Sequence, residues 1–300
     1  MFGTSVAAGC SSRIVSDDAA QKPDRPSVNT EQDCSMVNRE PDRGLTTATP
    51  LNVDYRVGRI SKYLSGHWLD FGCADGGYDQ EMLNRGLAAI SGVDVERPRI
   101  AEARKRNLPN SFYTAFDGRT LPFGDCYFDG TLMNEVFEHV ADEQRALSET
   151  FRVLKPGGTL VLISPNRWFP IEGHNVTIGP KTICPAPLIP WLPEPMTRNW
   201  TAARNYWPSQ LRRHVKDAGF AILETSFIWP VLEVYPWLPA SGIALYQKYF
   251  RTLDHLPGLR RFGVSTMVVG VKPAYDRTSG VPRLPSGLEN PRPAVKADIL

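Results

Sequence analysis

His67-Trp68-Leu69-Asp70-Phe71-Gly72-Cys73-Ala74-Asp75-Gly76-Gly77 is the stretch that decides how this chain folds. A short apolar run ends in an acid and gives way to a cluster of small residues. Such a pattern reads as a buried strand ending at Asp70, a sharp turn, and a helix starting near Tyr78. Small side chains let a ligand lie directly on the backbone of that turn. A second apolar run, Leu87-Ala88-Ala89-Ile90-Ser91-Gly92-Val93, ends in Asp94, an acid placed to accept from the two hydroxyls of a ribose. Together they describe a nucleoside-binding α/β unit.

Working outward, strands and helices alternate. Tyr55–Leu64 reads as an amphipathic helix through Val57, Ile60, Tyr63 and Leu64. Strands are expected at 68–71, 89–93, 111–115 and 130–134, with helices at 78–85 and 97–106. A helix over 142–154 is expected to stop at the turn signal Lys155-Pro156-Gly157-Gly158. The continuously apolar Thr159-Leu160-Val161-Leu162-Ile163 should be a fully buried strand. A helix over 209–219, capped by Ser209 and ended by Gly219, precedes strands at 221–227 and 265–271. This alternation predicts a mostly parallel sheet covered on both faces.

Two stretches break the rhythm. Residues 165–208 carry Pro170, Pro180, Pro185, Pro187, Pro190, Pro193 and Pro195, which exclude a long regular element. Residues 228–260 are aromatic and mostly apolar, but Pro230, Pro236 and Pro239 argue against a membrane-spanning helix. An interfacial or partner-binding hairpin, with peripheral membrane contact through 228–250, is the expectation there. Residues 1–50 and 274–300 lack periodicity and read as disordered tails around a domain spanning 51–273.

Composition narrows the function. With 42% hydrophobic residues the chain can build a full core, and its net charge of +2 supplies no field for nucleic acid or acidic lipid. The basic residues of 97–106 are interrupted by Glu96 and Glu102, as on a solvated helix face. No nucleic-acid partner is expected. The five cysteines show neither metal spacing nor a disulfide framework, which suits a reducing, cytoplasmic setting, and no metal is expected.

Five motifs in order carry a family resemblance. Asp70-Phe71-Gly72-Cys73-Ala74-Asp75-Gly76 resembles the first motif of the class I S-adenosylmethionine-dependent methyltransferases, and Gly92-Val93-Asp94 their second-strand acid. Asp117-Gly118-Arg119-Thr120-Leu121-Pro122-Phe123 with Tyr127-Phe128-Asp129 is similar to the adenine-side loop and fourth-strand entry. Asn134-Glu135-Val136-Phe137-Glu138-His139-Val140 and Leu154-Lys155-Pro156-Gly157-Gly158 complete the set. The small-molecule subgroup named after ubiquinone and menaquinone biosynthesis is the nearest in pattern. The resemblance covers residues 55–165, and more loosely extends to Val271.

It implies a doubly wound, Rossmann-like, seven-stranded sheet, mostly parallel with the last strand antiparallel. It also implies an enzyme that transfers a methyl group from S-adenosylmethionine to a small-molecule or lipid-like acceptor. The turn at Gly72, Cys73, Ala74 and Gly76 would face the methionine part of the cofactor, and Asp70 would hold its amino end or the loop itself. Asp94 would take the ribose hydroxyls, Asp117 and Gly118 the adenine, and Asn134 would sit near the sulfonium. Ala74 stands where the family has glycine, a mild change provided that its φ is negative. Asp117 reads equally well as a loop acid, since Asp-Gly is a common turn pair.

Glu138 and His139 read first as residues that order the turn after the fourth strand. His139 and His174 are the only acid–base candidates named, and no partner for them is visible in the sequence. The aromatic residues of the two insertions, Trp168 and Trp207 among them, suit a cap that packs on the core and encloses a flat acceptor. Two alternatives stand. An NAD(P)-dependent Rossmann oxidoreductase requires Gly-x-Gly-x-x-Gly, whereas this chain has Gly72-x-x-x-Gly76-Gly77. A non-catalytic cofactor-binding or scaffold protein would keep the motifs without turnover.

Overall fold

Trp68 and Leu69 are fully buried on opposite faces of one strand, as the two-residue period of a pleated strand requires. The computed structural model describes residues 50–230, 239–254, 256, 258–275 and 282–283. Its main sheet comprises β1 (His67–Phe71), β2 (Ala89–Asp94), β3 (Ser111–Ala115), β4 (Phe128–Asn134), β5 (Leu154–Pro165), β6 (Ala221–Ile228) and β7 (Ser265–Val271). The spatial order is β6-β7-β5-β4-β1-β2-β3. The pairs among β1 to β5 are parallel, and β7 runs antiparallel to both β5 and β6. The expected seven strands and the antiparallel last strand are therefore present.

Helices cover both faces: α1 (Pro50–Ile60), α2 (Gly77–Asn84), α3 (Arg97–Lys105), α4 (Glu143–Val153) and α5 (Pro208–Asp217), while α6 (Ala240–Asp254) belongs to the second insertion. In β5, Leu160 and Leu162 join one core while Val161 and Ile163 join the other, which explains its unbroken apolar run. Trp68 needs space of its own. A Cβ on Gly130 of β4 would meet the Trp68 ring at 2.1 Å, so only glycine lets the indole lie there.

Four local expectations change. The Lys155–Gly158 segment is not a turn between elements: β5 starts at Leu154, directly after α4, and a register shift between Phe128 and Gly130 absorbs Gly157 in a left-handed conformation. The N-cap of α5 is Trp207 rather than Ser209, with Pro208 in the first turn and the Trp207 amide donating to Gln210 Oε1 at 3.0 Å. Residues 240–254 form a helix rather than one arm of a hairpin. Cys126 is disulfide-bonded, against the expectation of no disulfide framework, whereas Cys73 is a free thiol and the Cys184 thiol donates to the Gly173 carbonyl at 3.2 Å.

Both insertions leave the sheet beyond the carboxyl ends of β5 and β6. Residues 166–207 form short hairpins, Ile171–Glu172 with Ala186–Pro187 and Val176–Ile178 with Lys181–Ile183. Asn166 anchors this cap by donating to the carbonyls of Arg261 and Gly263, both at 2.7 Å. Trp168 packs edge-on against Trp207 and Phe262, so these rings mainly hold the two insertions together. Tyr235, Trp237 and residues 1–49 lie outside the described residues, whereas in the stretch expected to be a disordered C-terminal tail Ala274–Tyr275 pairs antiparallel with Pro282–Arg283. No helix among the described residues is long and apolar enough to cross a membrane.

Candidate functional site

The site is built on the turn between β1 and α2. Gly72, Ala74 and Gly76 have φ of 82°, 48° and 76°, so three alternate residues lie in the left-handed region. The condition placed on Ala74 is thus not met: its φ is positive. A Cβ there costs about 1 kcal/mol relative to glycine. Ala74→Gly should therefore raise stability by roughly 0.5–1 kcal/mol, allowing for the added chain entropy of glycine. Urea unfolding of the two proteins measures this, and a loss of stability would show that Ala74 is unstrained.

The turn is pinned to β2. Gly72 and Cys73 amides both donate to the Val93 carbonyl, at 2.7 and 3.0 Å, and the Ala74 amide donates to Asp94 Oδ2 at 3.0 Å. These amides are used inside the protein, so a ligand lying on the turn would be met by carbonyl oxygens, which suit an ammonium donor. Asp94 is 7% exposed at the end of β2, and its Oδ1 accepts from the Glu96 amide at 2.9 Å. Each of its oxygens has one backbone donor and a lone pair to spare, and two acceptors on one carboxylate match a pair of vicinal hydroxyls. This set of acceptors fits the ribose hydroxyls and the amino group of S-adenosylmethionine. Asp117 lies on the exposed loop after β3, where its Oδ1 accepts from the amides of Arg119 and Thr120, both at 2.8 Å. Despite slight burial, these amides hold its carboxyl below the usual range. Gly118, with φ of 73°, forms the bend beside it.

Beneath the turn the structure reveals an acid pair. Asp70 and Asp79 are both buried, and neither Asp79 oxygen accepts from a conventional donor. Burial, then the charge of Asp79, pushes the Asp70 carboxyl well above its usual range, while burial raises Asp79 to about 6. A single proton shared between them resolves the repulsion. Because the folded-state pKa of Asp79 is raised, its contribution favours folding at pH below about 4. That contribution is lost as pH rises through about 6. Asp79→Asn should exceed the parent in stability by about 3 kcal/mol at pH 7.5 and by about 1 kcal/mol at pH 4.5. Urea midpoints at the two pH values test this; a pH-independent difference would contradict it.

At the end of β4, Asn134 Oδ1 accepts from Arg56 Nη1 at 2.8 Å. The same nitrogen lies 2.7 Å from Glu135 Oε1, Ser265 Oγ donates to that oxygen, and Arg56 Nε donates to Asn52. Arg56 is thus a buried cation that ties α1 to the ends of β4 and β7. Burial works against its charge, but the Glu135 carboxylate raises its pKa. Glu135 itself has φ of 53°, a strained conformation at the turn that leads to Glu138 and His139.

The two candidate histidines come together. His139 is exposed on this turn and His174 projects from the first insertion, their ring centroids 5.3 Å apart. His174 Nδ1 lies 2.8 Å from Glu172 Oε1, and Glu172 Oε2 accepts from Asn205. Although burial opposes its charge, the hydrogen bond and charge of Glu172, with Glu138 and Glu135 behind, raise His174 to about 9. Glu138 is 2% exposed; its Oε2 accepts from Ser164 and its carbonyl from the Arg204 amide, so it does order the turn. Burial, then the Glu135 charge, pushes its carboxyl up.

Sequence reasoning missed Arg56, Glu135 and Asp79 as site residues. Arg56 stands four residues before Ile60, on the buried face of α1, and a charge in that stripe was the available signal. Asp79 lay hidden within a short helix whose sequence showed no strong apolar face.

A parallel sheet with an antiparallel strand next to its edge is the Rossmann-like methyltransferase fold. A family model described as "Methyltransferase domain" matches residues 69–162. Over those residues the chain is similar to the class I S-adenosylmethionine-dependent methyltransferases, enzymes whose cofactor is S-adenosylmethionine. An uncharacterized 37.1 kDa protein in transposon TN4556 of Streptomyces fradiae is 33% identical over 160 residues, 51% of this chain and 43% of that protein. An O-methyltransferase, cnsE, of Penicillium expansum is 31% identical over 35% of this chain and 40% of its own length. A demethylmenaquinone methyltransferase of Symbiobacterium thermophilum is 29% identical over 54% of this chain and 70% of its own. The chain spans about half the length of several of the curated relatives it matches. A putative methyltransferase solved with the Trm112 activator of Haloferax volcanii shares the fold. It has a TM-score of 0.51 at 19% identity, over 74% of this chain and 90% of that one.

Proposed function

We propose that this chain transfers a methyl group from S-adenosylmethionine to a small-molecule or lipid-like acceptor. The observation that carries the reading is Asp94: a buried carboxylate that fastens the turn yet keeps an acceptor position on each oxygen. In this reading Asp94 holds the ribose, and Asp117 with Gly118 the adenine. Gly72, Cys73, Ala74 and Gly76 form the floor under the methionine part, with Asp70 near its amino end. Asn134, fixed by Arg56, faces the sulfonium. The bound cofactor supplies a methyl already activated for displacement, so the chain's own work is alignment and exclusion of water.

Residues 51–273 would form the catalytic domain, with the 165–208 and 228–260 insertions closing over the acceptor. The named relatives support a small acceptor, since one is an O-methyltransferase and another a demethylmenaquinone methyltransferase. The dinucleotide alternative is less well supported: β7 lies antiparallel between β5 and β6, and the turn has a different glycine spacing. Incubation with methyl-labelled cofactor and a panel of phenols, quinols and lipid extracts tests the reading. Label should pass to an extractable small product. Label found only in protein or RNA would overturn the acceptor class, and no transfer to any acceptor would favour a non-catalytic role.

A further inference from the structure

We infer that Glu138, His139 and His174 form a binding site for a divalent transition-metal cation at the acceptor side of the sheet. One ligand atom from each residue lies within 4.8 Å of the others. Around a single ion with bonds of about 2.0–2.2 Å, ligand atoms stand roughly 3–4.4 Å apart, so small side-chain rotations close the site. The residues come from two separate segments, the turn after β4 and the first insertion, and an ion would fasten the cap to the sheet.

A second, independent observation points to a ligand. Glu138 is 2% exposed and its Oε2 is held by Ser164, yet Oε1 has no hydrogen-bond partner. A buried carboxylate oxygen without a donor is costly, and a cation satisfies it. His174 is also prepared for such a task. Its Nδ1 is engaged by Glu172, itself 1% exposed and held by Asn205, which directs Nε2 toward the ion. A carboxylate behind the histidine is the arrangement that orients metal-binding imidazoles. Two imidazoles and one carboxylate suit Zn²⁺, Mn²⁺, Fe²⁺ or Co²⁺ rather than Mg²⁺ or Ca²⁺. Three protein ligands leave positions open, and an acceptor hydroxyl or enol oxygen is the ligand class that would fill them. This use of the ion rests on the proposed methyl transfer; binding of the ion does not.

The test uses the full chain freed of metal with a chelator. Titration with Zn²⁺ by calorimetry, and with Co²⁺ by visible absorption, should give one equivalent bound, with d–d bands typical of nitrogen and oxygen ligands. Mg²⁺ should give no response. Affinity for Zn²⁺ should fall at least ~10-fold in His174→Ala and in Glu138→Gln. His139→Ala, altered at an exposed position, serves if Glu138→Gln fails to fold by circular dichroism. His67→Ala, at the amino-terminal end of β1 and away from the carboxyl ends of the strands, should leave the affinity unchanged. Absence of saturable binding to the folded parent would overturn the site, as would unchanged affinity in both His139→Ala and His174→Ala. Cofactor titration of the metal-free chain is read separately: binding there sustains the methyltransferase reading even if the metal site fails.

Discussion

Arg56→Met should destabilise the protein by about 3–5 kcal/mol, the largest single effect expected of any substitution considered. Removing one member of a buried ion pair leaves the other charge without compensation, and that penalty exceeds what the pair itself contributes. Arg56 is 2% exposed and its Nη1 serves both Asn134 and Glu135, while Ser265 meets the same Glu135 oxygen. With the guanidinium gone, Glu135 would be left buried in a strained turn, and α1 would lose its polar link to β4 and β7. Adding Glu135→Gln to Arg56→Met should recover part of the loss, because the uncompensated carboxylate disappears. Urea unfolding of the parent, the two single variants and the double variant measures the coupling. A cost below about 1 kcal/mol for Arg56→Met would place the arginine in water.

The second large effect concerns the cofactor. Asp94→Ala should weaken binding of S-adenosylmethionine by roughly 2–3 kcal/mol, about 30- to 150-fold. Both ribose hydroxyls lose a charged acceptor, and the Ala74 and Glu96 amides lose the group that sets the turn. Asp117→Ala should weaken binding far less, by about 1 kcal/mol or below, because its carboxyl is exposed and partly committed to its own loop. Calorimetric titration of the two variants ranks them. Equal losses would shift the main nucleoside contact away from Asp94.

The sheet was legible in the sequence because its strands are short, apolar and bounded by turn residues. The strands at 111–115 and 265–271 begin and end as the apolar pattern indicates. The acids at strand ends were legible too, since Asp94 follows directly from the strand that precedes it. What escaped were side chains whose role depends on elements far apart in the chain. Arg56 and Ser265 are 209 residues apart yet meet in one cluster. His139 and His174 were named singly, but nothing in the spacing of a proline-rich insertion shows that their rings face each other. Ala74 was misjudged because the sign of φ at a turn depends on how the turn is pinned. Three hydrogen bonds to Val93 and Asp94 impose the left-handed conformation that an alanine would otherwise avoid.

In the proposed reading the Gly72–Gly76 turn and Asp94 hold a sulfonium nucleoside. Isothermal titration of the purified, folded chain with S-adenosylmethionine, run beside NADH, tests it most directly. One equivalent of S-adenosylmethionine should bind, and NADH should give no saturable signal. Saturable binding of NADH with none of S-adenosylmethionine would contradict the account.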